Sequence, residues 1–352
     1  MSNLLEKFDS WISGNDGPAA LVINEHLVPV EGHDAVVFPP TFAAGDGFPG
    51  GYNIDPPPTK DEPWKKPNVC LIDSVGSQAN RIEPIFAEED YASLVPQIVI
   101  EAGEYEVNLL EAGHRAGDAL VRCSELQEDL QKAFQSVLRG DAEPLAKIAP
   151  TSLVFGVWDS RDTQAKLPRL VSSVIRAFDV RVLTRGAVYI PPVDYAELDV
   201  FSEAEKAKAS SKSPLAQRGF VHNPASGSHG GVIADGGIRR DATLSLAALQ
   251  MLKSGNAEKT LALRRYVLGL ALVAMTAETP CYLRQGCNLV LDPEKGREFQ
   301  EVYRDGTRKP ASLTHQDACE FARAAAEAFG VGEAKAVQFD RKKAKADVKK
   351  KD

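Results

Sequence analysis

Residues 39–67, PPTFAAGDGFPGGYNIDPPPTKDEPWKKP, limit the possible fold more than any other stretch of the chain. Proline lacks the amide hydrogen that a helix needs and clashes with the preceding turn, so this run is not helical. It reads as a long loop inside a compact chain, and loops of that length are usually functional or mobile. The fold must therefore be one that tolerates a large insertion early in the sequence. A Rossmann core is not such a fold here: no GxGxxG follows an early strand, and no GxxxxGK[ST] phosphate loop occurs.

At 352 residues and 43% hydrophobic, the chain can bury a sizeable core in one large domain or two ordinary ones. The longest apolar run, YVLGLALVAMT at 266–276, follows Arg264-Arg265 and is too short to span a bilayer. The N-terminus carries acids, lacks the order of a secretion signal, and reads as an amphipathic helix with Leu4, Leu5, Phe8 and Ile12 on one face. No membrane association and a cytoplasmic location are expected. Cysteines 70, 123, 281, 287 and 319 form no CxxC, and no HExxH occurs, so reduced thiols and no metal or other cofactor are expected.

Charge is segregated along the chain. The net charge is −8, and no Lys or Arg lies between Arg81 and Arg115, a stretch with eight acids. Residues 161–185 instead carry six basic residues against two acids, and the tail 341–352 carries seven against two. The tail reads as basic and disordered, leaving 1–340 as a single domain. One basic working surface with an acidic back fits this distribution, because counterion release needs a local basic groove and not a basic total. Solvated faces are the plainer reading of any single block.

Strand-like runs are expected at 68–72, 96–102, 151–158, 180–190 and 281–292. Helical spacing appears at 74–83, 113–139, 167–179, 242–253, 258–276 and 315–329. Residues 151–190 then form a β-α-β unit, and the whole reads as an α+β domain on a small sheet decorated by helices and two large loops.

Three stretches carry candidate chemistry. In CLIDSVGSQANRIEP (70–84) a strand hands over to a helix start, where backbone N–H groups and the dipole favour anions. Ser74 or Asp73 can cap that helix and Gly76 permits close approach. Ser77, Gln78, Asn80 and Arg81 add donors for phosphate or base edges, unless all of them belong to an elaborate cap. In VWDSRDTQAKLPR (157–169), Trp158 is suited to stacking on a base, and Arg161, Lys166 and Arg169 to holding a phosphate chain, with Arg176 further along. A core Trp and a local Asp159–Arg161 pair is the alternative. The third stretch, 220–242, holds His222, His229 and Asp235 in a Gly-rich run that reads as a protruding hairpin, followed by Arg239 and Arg240 as a backbone clamp.

Together LIDSVGSQANRIEP, GHRAGDAL and SLVFGVWDSRDTQAKLPRLVSSVIRAFDV resemble a CRISPR-associated family. The chain is similar to the Cas-seven backbone subunit of type I CRISPR surveillance complexes (Cascade), of the I-G subtype formerly called I-U, in the RAMP superfamily. The resemblance covers roughly residues 20 to 290. It implies a hand-shaped domain: a palm sheet like an RNA-recognition motif (RRM, ferredoxin-like), an inserted helical fingers region and a protruding thumb loop. Residues 200–237 are the candidate thumb and 39–67 a second protrusion. It implies a non-catalytic scaffold whose copies polymerise as a helical filament along CRISPR RNA and support target DNA recognition through guide pairing. The implied partners are further copies, a large subunit, a repeat-end-binding subunit and a recruited helicase–nuclease. Ser74, Gly76, Ser77, Gln78, Asn80 and Arg81 would touch the guide backbone, with Trp158, Arg161, Lys166, Arg169, Arg176, His222, Arg239 and Arg240 continuing the track. The chain departs from the family in lacking the aromatic pattern of a base-stacking RRM, which points to backbone recognition. Two rivals remain: a metal-dependent RNA-cleaving subunit using Asp235 or Asp46, and a metabolic enzyme with a His222/His229 site.

Overall fold

The computed structural model describes residues 2–14, 16–56, 66–210, 213–278 and 280–349. An antiparallel sheet of nine strands forms its centre, curled into a half-barrel with helices inserted between the strands. Ala20–Pro29 is the pivot. Ile238–Ser245 pairs along one edge, while Arg297–Val302 and Cys287–Leu291 divide the other. Val171–Phe178 pairs with Ile238–Ser245, then Val69–Asp73 and Ile54–Asp55 extend the sheet. Taking 20–29, 171–178, 238–245 and 287–302 as the frame, the strands lie in the order fourth, first, third, second. That order, with helices inserted after the first and third, is the ferredoxin-like arrangement.

Burial alternates along Ala20–Ile23 and throughout Ile238–Ser245, as period-2 side-chain geometry requires. Leu21, Ile23, Ala242 and Leu244 face the main core, where Ala257–Thr276 crosses the sheet. That helix is buried almost all round from Leu263 to Met275 because His315–Phe329 covers its outer side. Gly269 sets the spacing of the two helices: a Cβ built there would lie 2.8 Å from Ala322 Cα. No helix among the described residues is long and apolar enough to cross a membrane. A second core, including Cys70, Ile72, Ile175, Val232 and Cys287, lies elsewhere on the sheet.

The expected strands at 68–72 and 96–102 are present at Val69–Asp73 and Ile98–Ala102, as are the helices Val75–Ile82, Ala257–Thr276 and His315–Phe329. The β-α-β reading of 151–190 is corrected. Thr151–Phe155 is a short helix and Val171–Phe178 a strand. Both runs are almost wholly apolar or buried, so periodicity could not separate the two conformations. The β-branched Val171, Val174 and Ile175, held between two neighbouring strands, decide the second case. Likewise 242–253 is the end of a strand followed by the single turn Leu246–Leu249. The expected helix at 113–139 is broken into Arg115–Gly117, Ala119–Arg122 and Gln127–Leu138, and Arg115 sits at φ 54. Residues 281–292 are a hairpin turning at Gly286.

Val180–Tyr189 and Asn223–Ala234 form a separate two-stranded ribbon, joined through 190–222 with the short helices Glu203–Ala207 and Pro214–Gln217. Residues 200–237, the candidate thumb, comprise its returning strand and most of that connection. The loop 39–67 contains short strands at Thr41–Phe42, Gly51–Tyr52 and Ile54–Asp55; residues 57–65 lie outside the described residues. Within the segment read as a tail, Arg341–Asp347 is a helix capped by Asp340, and an Arg122–Asp347 pair at 2.8 Å ties it to the domain. Residues 350–352 of that segment lie outside the described residues.

Candidate nucleic-acid interface

The strand-to-helix junction at 70–84 is organised around a buried carboxylate. Asp73 is 0% exposed and accepts from Gln78 Nε2 at 2.7 Å, Arg81 Nε at 3.1 Å and Arg284 Nη2 at 2.8 Å. Gln78 is itself buried and accepts from Ser173 Oγ at 2.8 Å, which fixes the helix to the sheet. Arg81 also donates to the Leu283 carbonyl at 2.7 Å. Ser74 is the cap: its Oγ accepts from the Ser77 amide at 3.1 Å. Gln78 is thus closed to a ligand, and Arg81 is engaged by two protein partners while remaining partly exposed. Asn80 is exposed, and no atom lies within 3.4 Å of a Cβ built on Gly76, so both stay open.

The sheet residues divide in the same way. Arg240 is buried and paired with the buried Glu25, which also meets Arg297. Arg239 binds Asp241 through Nε at 2.7 Å and Nη2 at 3.2 Å, and Arg176 lies opposite it in register, 3.7 Å from the same carboxylate. Arg176 and Arg239 remain partly exposed with part of their charge neutralised; Arg240 has no route to a ligand on the surface.

The second stretch is assembled into a groove. Val157–Trp158 pairs with Lys166–Leu167, forming a small hairpin over the Arg115–Gly117 turn. Gly117 packs so closely that a Cβ there would lie 3.0 Å from the Trp158 carbonyl oxygen. At Gly156, φ is +80 and a Cβ would lie 3.0 Å from the Arg169 amide nitrogen, so only glycine lets the chain turn into the hairpin. The resulting groove, about 720 Å³, gathers Trp158, Arg161, Lys166 and Arg169 with three residues that sequence reasoning missed: His114, Arg115 and Arg122. Their signal was present in GHRAGDALVR (113–122), but a regular helix would set Arg115 and Arg122 two turns, about 10 Å, apart along its axis. The irregular backbone at Arg115 gathers them instead.

Trp158 is 56% exposed, and the Lys166 ammonium sits 5.3 Å from its ring centroid. Lys166 has no acidic partner among the described residues, and the charge of Arg169 acts on the Glu83 carboxylate. At the floor, Arg115 Nε lies 2.6 Å from Glu83 Oε2. Burial pushes the Glu83 carboxyl up, to about 7, against the pull of Arg115, and burial pulls Arg115 down. Asp159, beside the groove, folds back on its own turn through Thr163, with an amide contact of 2.8 Å.

The residues of the rival readings are dispersed. Asp235 binds Arg181 Nε at 2.8 Å and Lys66 Nζ at 2.7 Å, which holds its carboxyl down at about 2. Asp46 is exposed on the 39–67 loop. His229 packs on Tyr52, centroids 4.9 Å apart, whereas His222 is exposed beyond the far end of the same strand. The two are roughly 20 Å apart along an extended chain and form no joint site. Among the described residues, His33, Asp292 and Glu294 bring ligand atoms within 4.8 Å of one another and could hold a metal ion.

No curated protein matches the chain. Residues 21–182, a little under half of the 352, carry the strand-to-helix junction and the whole groove, and they match the family model described as CRISPR-associated protein GSU0053.

Proposed function

We propose that this chain is a non-catalytic RNA-binding scaffold of a CRISPR effector: a Cas-seven backbone subunit of a type I complex, of the I-G kind. The observation that carries the reading is the groove at 113–122 and 156–169, where basic side chains and an exposed Trp converge within a stretch matched by a CRISPR-associated family. Such a surface suits a phosphate backbone with exposed bases. In this reading the ferredoxin-like sheet is the palm, the inserted helices the fingers and the 180–234 ribbon the thumb. Copies assemble head to tail along CRISPR RNA, an arrangement that does not close. Target DNA is met through guide pairing, beside a large subunit, a repeat-end-binding subunit and a recruited helicase–nuclease.

Protein purified without nuclease is expected to carry host RNA and to elute as large, ribonuclease-sensitive particles. An RNA-free monomer with no salt-dependent affinity for RNA would overturn the proposal. The rival reading, metal-dependent RNA cleavage, has one observation in its favour, the His33–Asp292–Glu294 group. Single-turnover cleavage of RNA that needs a divalent cation and is abolished by His33→Ala would establish it; its absence leaves the scaffold.

A further inference from the structure

The floor of the groove holds a guanidinium whose hydrogen-bonding capacity is largely unused. Arg115 is 4% exposed. Its Nη1 donates weakly to the Gly156 carbonyl at 3.4 Å, while Nη2 has no partner. Nε lies 2.6 Å from Glu83 Oε2, an ion pair that engages one edge of the guanidinium and leaves Nη2 open. Beside it, Arg122 Nε is also buried without a partner, although its Nη1 is held by Asp347. Buried donors are paired almost everywhere in folded proteins, and each one left unmade costs about 1–3 kcal/mol. Arg115 Nη2 and Arg122 Nε, on two arginines lining one groove, therefore call for an acceptor from outside, and a phosphate offers oxygens in the fork geometry that a guanidinium fits.

The rim supplies a different kind of contact. Trp158 lies on a hairpin edge and is more than half exposed, flanked by the Lys166 ammonium. A flat aromatic surface beside cations suits an unpaired base, whose face is available only after it has left its stack. The volume of about 720 Å³ lies within the usual range for small-ligand sites and is far too small for a duplex. Burial pushes the Glu83 carboxyl up, against the pull of Arg115.

We infer that this groove seats one unstacked nucleotide of a single strand, with its phosphate oxygens on the Arg115 guanidinium and its base on the Trp158 ring. The inference rests on the RNA-binding reading and sharpens it. Neither contact reads base identity, so the seat accepts any sequence but excludes a base that remains stacked in a duplex.

The test uses the full chain, freed of RNA, titrated with a short single-stranded oligouridylate and with the same strand in a duplex. Tryptophan fluorescence and anisotropy are followed together. The single strand is expected to quench fluorescence, and Trp158→Leu should abolish the quench and weaken binding about tenfold, the usual scale of one base–aromatic stack. Arg115→Lys should weaken all oligonucleotide sequences alike. If that variant does not fold, the exposed Trp158 carries the test alone. Salt-dependent RNA binding that is unchanged in Trp158→Leu, or a duplex bound as tightly as the single strand, overturns the nucleotide seat and leaves the RNA-binding reading standing. Absence of any salt-dependent RNA binding overturns both.

Discussion

Replacing Asp73 by Ala separates two roles for the junction at 70–84. The carboxylate is fully buried and serves three donors, Gln78, Arg81 and Arg284, the last 211 residues away in sequence. Removing it leaves two guanidinium groups without their counter-charge and Gln78 Nε2 without an acceptor. Breaking a buried charge pair in this way costs about 3–5 kcal/mol. The arginines are only partly buried, 30% and 24% exposed, which favours the lower half of that range. Unfolding entropy near the midpoint is about 2.1 cal/mol/K per residue, so for 352 residues each kcal/mol displaces the midpoint by about 1.4 °C. The expected loss is about 4–6 °C in a thermal scan on RNA-free protein. Arg81→Ala, which leaves Arg284 on the carboxylate, should cost less than half as much. If Asp73→Ala left the midpoint within 1 °C while RNA affinity fell, the assignment of this junction as a structural hub would be refuted.

Three further perturbations probe other parts of the account. Gly269→Ala places a methyl 2.8 Å from Ala322 Cα and should cost about 1–3 kcal/mol in urea denaturation, where unchanged stability would mean the helix pair is not tightly packed. His315 is held between the Tyr91 hydroxyl and Thr276 Oγ1, each at 2.9 Å, and burial, aided by the charge of Arg323, lowers its pKa. Because the unfolded chain then binds more protons, this contribution is full above about pH 6.5 and is lost as pH falls; His315→Gln should flatten that part of the stability profile, and an unchanged slope would count against the half-buried neutral ring. Lys166→Ala should lower the slope of log K against log salt by about 0.7, the value for one single-strand phosphate contact, whereas an unaltered slope would remove Lys166 from the track.

Local rules made parts of this fold legible. THQDACEFARAAAEAF contains its own start signal, and the Thr314–Asp317 capping box forms at the beginning of the helix. Val69–Asp73 and the following helix were readable from an apolar run meeting a capping Ser. Where nearly every position is apolar or buried, as at 151–155 and 171–178, the sequence pattern holds no clear period to read, and the surrounding elements decide the conformation. The binding residues were divided for a related reason. Polarity alone marked Gln78, Arg81 and Arg240, but polar side chains also hold sheets and helices together through partners distant in sequence, such as Leu283, Glu25 and Ser173. Trp158, Arg161, Lys166 and Arg169 were legible because they lie close together on one hairpin. Arg115 was not, since its place at the groove floor depends on a left-handed backbone that an Arg between His114 and Ala116 does not announce.

Ultraviolet crosslinking of the protein to its co-purified RNA, with the modified peptides identified by mass spectrometry, tests the central claim most directly. The account predicts crosslinks at Trp158 and across the peptides that contain residues 113–122 and 156–169. Crosslinks confined to other surfaces, with the groove peptides recovered unmodified, would contradict it.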